Sequence, residues 1–263
     1  MQSKKYLNSR EFVDNNAKRM PICIVVDCSE SMKEYDGTSK TRIDRVNDGL
    51  ALFYEKLRNN RFTKYSVEVL LIQVGNNAKV FRDFSLTDSN PTKLNYLMEK
   101  NNLTEGVSLA LDKIDERKEI YKAACIGYYQ PWLIIMSDGG LNQEFSKNDF
   151  RMIQQEVRDR EFHRRLSVFP VYVQGKPFWD NYKCEYTPIK PEAYEDRLKL
   201  MSEFSRDGKR FINVDLTDKN VFDNLFKYLY EKISHFIGIS ACTSAPSSKL
   251  NEYIGMDLID EEE

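Results

Sequence analysis

Between residues 21 and 173, short apolar runs take turns with longer amphipathic stretches. The runs at 21–26 (PICIVV), 66–74 (SVEVLLIQV), 132–136 (WLIIM) and 166–173 (LSVFPVYV) are almost continuously apolar and rich in β-branched residues. A strand with one face in water alternates; a strand covered on both faces need not. Between the runs, apolar residues recur at helical spacing, as Ile43, Val46, Leu50, Phe53 and Leu57 do within 41–58. Doubly covered strands alternating with helices predict an α/β fold: a mostly parallel central sheet with helices on both faces. The run at 78–84 (AKVFRDF) alternates and follows Gly75-Asn76-Asn77, which predicts one short antiparallel edge strand.

Further helices are expected near 91–99 and over 105–121, 147–164, 191–206 and 219–237, with a last short strand at 210–214. Residues 175–190 (GKPFWDNYKCEYTPIK) show no periodicity and read as a long loop. Its Phe178, Trp179, Tyr182 and Tyr186 are expected either in a small local cluster or on a partner-facing surface. Residues 1–19 read as a polar lead-in, 20–240 as the domain, and 241–263 as a Ser-rich, then acidic, flexible tail. A chain of 263 residues is long enough for a full core.

A formal net charge of −2 gives no overall basic field for nucleic acid, and the arginines within 158–165 read as a solvated helix face. No apolar stretch reaches the roughly 18–20 residues that span a bilayer. The first twenty residues lack the apolar core of a signal peptide. The expectation is a cytoplasmic protein with no membrane partner. The five cysteines, at 23, 28, 125, 184 and 242, are scattered and show no metal-ligand pairs, which argues against a disulfide framework or a zinc site. Cys23 and Cys125 are expected as small core residues. His163 and His235 have no ligand pattern around them. Tyr128, Tyr129, Pro131 and Trp132 are expected to pack at the entry to a strand.

The chemistry concentrates in VVDCSESM, residues 25–32. Asp27, Ser29 and Ser31 stand at i, i+2 and i+4 just past the first strand, and Asp138 stands just past the strand at 132–136. Open parallel sheets bind ligands beyond the carboxyl ends of their strands. Alternate oxygen-bearing side chains can wrap a hard cation. Serines add coordination without charge, so a bound Mg²⁺ stays electrophilic and can accept a carboxylate from a partner. Two acids about 6 Å apart would repel by roughly 3 kcal/mol at an effective dielectric of 20, which a cation relieves. Asp and Ser after a strand are also ordinary turn and capping residues, and spacing leaves both readings open. Asp44 and Asn47, early in the helix at 41–58, face either these loops or solvent.

Asp27-x-Ser29-x-Ser31, with Met32 behind it and Ser137-Asp138-Gly139 after a later strand, resembles the metal-ion-dependent adhesion site of von Willebrand factor type A domains. IDERKEIYKAACIGYYQPWLIIMSDG (114–139) and FKYLYEKISHFIGISACTSA (226–245) resemble the bacterial, cytoplasmic TerY/YegL-like branch. The likeness covers roughly 20–245. It implies a Rossmann-like sheet and a site for Mg²⁺, or else Mn²⁺ or Ca²⁺. It also implies a protein partner presenting an acidic residue, in the branch a phosphatase, a kinase or a stress- or phage-defence component, and no catalysis. The family supplies a threonine from a second loop. That position falls on Asn101 when 99–107 is aligned without gaps, and on Thr104 with a one-residue shift; Thr104 also suits a cap for the helix at 105–121. Three functions follow: a cation-dependent docking module, an interaction domain with a degenerate metal site, and a phosphohydrolase with Asp27 as nucleophile. Against the last, Ser29 stands where such enzymes place a second acid. The sequence also holds no Gly-rich dinucleotide fingerprint and no phosphate-cradling Gly-Lys-Ser/Thr loop.

Overall fold

The computed structural model describes residues 15, 17–33, 39–139, 147–173, 178–180, 185–187, 191–214 and 220–237, with backbone alone at 178–180, 185–187, 191–194 and 236. Among these residues one six-stranded sheet runs in the order β3-β2-β1-β4-β5-β8. It comprises β1 (Met20–Asp27), β2 (Val67–Val74), β3 (Ala78–Leu86), β4 (Trp132–Ser137), β5 (Ser167–Val173) and β8 (Ile212–Val214). Edge strand β3 is antiparallel to β2, and the other pairings are parallel. This is the α/β, Rossmann-like architecture expected.

The pleat sorts the central strands between two cores. Ile22, Ile24 and Val26 of β1 face α1 (Arg42–Asn59) and α6 (Val221–Phe236), where Phe53 and Phe226 stack with centroids 5.3 Å apart. Cys23 and Val25 face α3 (Leu103–Ala123) and α4 (Lys147–Phe162), and α5 (Pro191–Ser202) adds Met201 to that core. Both faces are therefore buried, which is why β1 reads as one apolar run. The single turn α2 (Thr63–Ser66) leads into β2. A Cβ on Gly106 would collide with the Val74 side chain, so α3 starts directly on the end of β2. That approach brings the loop at 99–102 to the end of β1.

The stretch 91–99 is not helical. Its backbone groups have partners elsewhere. The buried Asn47 amide donates to the Leu94 carbonyl at 2.9 Å and accepts from the Leu94 N–H at 2.8 Å. Leu97 N–H donates to the Cys28 carbonyl at 2.6 Å. Asn47 thus works inside the fold and does not face solvent. Asn47→Ala strands two buried backbone groups, each worth about 1–3 kcal/mol when unpaired, so a loss of at least about 2 kcal/mol is expected. Urea unfolding checks it: the midpoint should fall at unchanged slope.

Other expectations shift in detail. The segment 175–190 holds a small antiparallel pair, β6 (Phe178–Asp180) with β7 (Glu185–Thr187), while the side chains of its four aromatics lie outside the described residues. Helix α5 stops at Ser202, where the Ser202 and Ser205 hydroxyls donate to the Lys199 and Ser202 carbonyls and compete with further helix. Cys125 is exposed and adopts φ 55 after α3, so it is no core residue, whereas Cys23 is fully buried. Trp132 packs on Phe169 with centroids 4.4 Å apart. Most of the lead-in and all of 241–263 lie outside the described residues, but Arg19 is fully buried and bridges to Tyr128.

Candidate metal centre

The chain leaves β1 toward β2 and β3, and later returns on β1's other side as β4, β5 and β8. The crevice between the ends of β1 and β4 is therefore the topological switch point, where open α/β sheets take their ligands. Asp27 ends β1 and is fully buried. Its Oδ1 accepts from the Ser29 N–H at 2.9 Å and from the Ser29 hydroxyl at 2.6 Å. The Ser29 and Ser31 hydroxyl oxygens are 3.3 Å apart. The 3₁₀ turn Glu30–Lys33 drives Met32 into the core, leaving the two serines gathered beside Asp27. Cys28 N–H donates to the Val74 carbonyl and Glu30 N–H to the Glu99 carbonyl, which pins this loop to its neighbours.

Asn101 and Ser137 complete the ring around the acid. Asp27 Oδ2 accepts from Asn101 Nδ2 at 2.5 Å and from the Ser137 hydroxyl at 2.7 Å. Asn101 Nδ2 also lies 3.1 Å from Ser137 Oγ. Of the two second-loop candidates, Asn101 is the one brought to Asp27. Thr104 sits in the first turn of α3 and lines a groove with Ser108, Asp149 and Met152. The α3 cap is Asn102, whose side chain accepts from Glu105 N–H at 3.3 Å. Asp44 is exposed; it closes a capping box with Thr41, whose hydrogen bonds hold the Asp44 carboxyl below its ordinary range.

Asp138 follows β4 and is almost fully buried. Two guanidinium groups meet it. Arg42 Nη1 lies 3.6 Å from Asp138 Oδ2 and donates to the Ser31 carbonyl at 3.2 Å. Arg197 Nη1 lies 3.5 Å from the same carboxylate oxygen and donates to the Asp138 carbonyl at 3.4 Å. Sequence reasoning missed both. Arg42 carried a usable signal, since the Thr41–Asp44 capping box makes it the first residue of α1, at the carboxyl end of the sheet. Arg197 carried none: it is 59 residues from Asp138 on another helix.

Burial pushes the Asp27 carboxyl up to about 7; the Asp138 carboxylate adds to the rise, and hydrogen bonds from Ser29 and Ser137 oppose it. Burial likewise pushes the neighbouring Cys28 thiol up to about 12, so it offers no thiolate nucleophile at neutral pH.

A hard divalent cation fits the donor chemistry. Asp27, Ser29, Ser31 and Asp138 offer oxygens, and the buried Asn101 Oδ1 has no hydrogen-bond partner among the described residues. A half-turn of that amide exchanges Nδ2 for Oδ1 and presents a further neutral oxygen. Among the described residues no group of three or more His, Cys, Asp or Glu could hold a metal, so an ion here would depend on hydroxyl and amide oxygens.

Residues 22–140, which carry every one of these loops, match the family model of the von Willebrand factor type A domain. That stretch is similar to a domain of a class that commonly mediates protein–protein interaction. Solved structures share the fold. BatB from Bacteroides thetaiotaomicron is 15% identical, with a TM-score of 0.53 over 83% of this chain and 99% of that one. The PilB minor pilin of Streptococcus sanguinis is 11% identical, with a TM-score of 0.55 over 85% of this chain and 63% of the pilin. A von Willebrand factor type A protein from Catenulispora acidiphila is 10% identical, with a TM-score of 0.50 over 82% and 42%. No curated protein matches the sequence. Among the described residues no helix is long and apolar enough to cross a membrane.

Proposed function

We propose that the chain is a cytoplasmic docking module. In this reading a divalent cation, Mg²⁺ or else Mn²⁺ or Ca²⁺, is held at the switch point and accepts an acidic side chain of a protein partner. One observation carries it: a fully buried acid at the end of β1, ringed by the side chains of Ser29, Asn101 and Ser137, with Ser31 and a second acid beside it. The cation ligands would be Asp27, Ser29, Ser31 and Asp138, with Asn101 nearer than Thr104 for the fifth. Tyr96 and Met98, 44% and 67% exposed, stand in the adjoining loop, where Lys33 Nζ reaches Met98 Sδ at 3.9 Å. They offer apolar area around a docked acid. By resemblance to the TerY/YegL-like branch, the partner is a phosphatase, a kinase or a component of a stress or phage-defence system.

The reading assigns the chain no catalytic step. Capture from the native host tests it. Proteins retained by the immobilised chain in millimolar Mg²⁺ should be lost both on chelation and with Asp27→Asn. Retention of the same set in all three conditions would sink cation-dependent docking. Turnover of a generic phosphoester by the wild type, lost in the variant, would restore the enzyme. A second reading, docking without any metal, is favoured by the two guanidinium groups on Asp138; the unchanged set would establish it.

A further inference from the structure

Arg42 occupies an unfavourable place. As the first residue of α1 it stands at the positive end of the helix dipole, where a cation is disfavoured. It is 3% exposed, so its charge is withdrawn from water and depends on fixed partners. Two of its partners belong to the candidate centre: Asp138 Oδ2 at 3.6 Å and the carbonyl of Ser31 at 3.2 Å. Arg197 differs. It is partly exposed and reaches the same carboxylate from α5, across Gly139. Gly139 has φ +68, and a Cβ there would lie 2.8 Å from the Cβ of Arg197. One positive charge is thus built into the site, and a second is laid over it.

We infer that Arg42 is a resident cation of this site that weakens its hold on a divalent ion and makes that hold depend on an incoming carboxylate. This rests on the cation-docking reading. The charge count carries it. Of the buried charges here, Asp27 and Asp138, ionised, with Arg42 sum to −1; Arg197, about a third exposed, is screened by water and left out of the sum. A divalent ion raises the sum to +1, and a partner's carboxylate returns it to zero. Without Arg42, the two acids alone neutralise the ion and nothing calls for a third. Arg42 is a positioning and affinity-setting residue, since it acts on the ion through Asp138.

The test is the Mn²⁺ concentration that half-completes the thermal stabilisation of metal-stripped wild type, Arg42→Gln, Arg42→Lys and Arg42→Met. Met preserves much of the side-chain stem should Gln not fold. In the uncharged variants the midpoint should fall about tenfold or more, because a like charge has left the ion's surroundings, while Lys should stay within about threefold of wild type. A merely structural arginine would lower the melting temperature without moving the midpoint. Wild type responding with unchanged midpoints in the uncharged variants would overturn the role of Arg42 and leave the docking reading standing. Response in the uncharged variants alone would overturn cation docking in the natural protein and establish that Arg42 stands in for the ion. No response in any chain would overturn both.

Discussion

Glu68→Ala is expected to cost about 3–5 kcal/mol, the usual effect of removing one partner from a buried ion pair. Glu68 lies on β2 with no exposed surface. Its Oε2 accepts from Arg117 Nε at 2.8 Å and from the Tyr121 hydroxyl at 2.5 Å, and Arg117 Nη2 lies 2.7 Å away. Arg19 Nε stands 3.4 Å from Oε1, close enough for charge attraction but not aligned as a hydrogen bond. Arg19 is 0% exposed and Arg117 6%, so the alanine variant leaves two guanidinium groups in the core without their carboxylate. A domain of this size loses roughly 2–4 °C of melting temperature per kcal/mol, so a drop of roughly 10 °C is expected by calorimetry. Arg19→Met with Glu68→Leu and Arg117→Met should recover much of that loss, because apolar residues of similar volume replace buried ion clusters at little cost. A drop below about 1 kcal/mol in the single variant would mean that the network contributes no more than a surface pair.

Asp27→Asn is expected to change the pH dependence of stability and to abolish the response to cations. In the folded chain Asp27 is pushed up to about 7 from 3.8, chiefly by burial. A carboxyl raised on folding contributes stability that is complete below its unfolded value and lost as pH rises through its folded one. In chelator, the wild type should therefore lose stability relative to the variant between about pH 4 and pH 7, by a total of roughly 4 kcal/mol. Mn²⁺ at 100 times its dissociation constant should return about 2.7 kcal/mol to the wild type and nothing to Asp27→Asn. Denaturant unfolding of both chains at about pH 3.5 and pH 8, with EDTA and then Mn²⁺, reads every quantity. Parallel pH profiles would show that Asp27 is not the strained acid its surroundings make it, and an equal Mn²⁺ response would place the cation elsewhere.

The central strands were legible because burial on both faces leaves a mark in composition: β1 and β4 have no polar face to betray. The helix at 41–58 was legible from its periodicity, but the capping box of Thr41 and Asp44 that starts it went unread although it is local. Asp27, Ser29 and Ser31 were legible as a group because a tight turn gathers neighbours in sequence. What escaped depends on distant packing. The choice between Asn101 and Thr104 turns on where α3 begins, which is set by the contact of Gly106 with Val74 and by the Asn102 cap. Asn47 looked like any polar residue of a helix until Leu94 came to it from another loop. The stretch 91–99 was read as a helix because its backbone partners lie on other elements, invisible to periodicity.

The two borders of the sheet also decide how this chain meets other molecules. On one side β3 sets Lys79, Arg82 and Asp83 among its apolar residues, and on the other β8 is only three residues long. Neither is a good template for an added strand. A chain so bordered can be crowded at high local concentration, or repeated within a larger assembly, with little tendency to zip sheet to sheet, which suits the proposed docking through the loops at the strand tips.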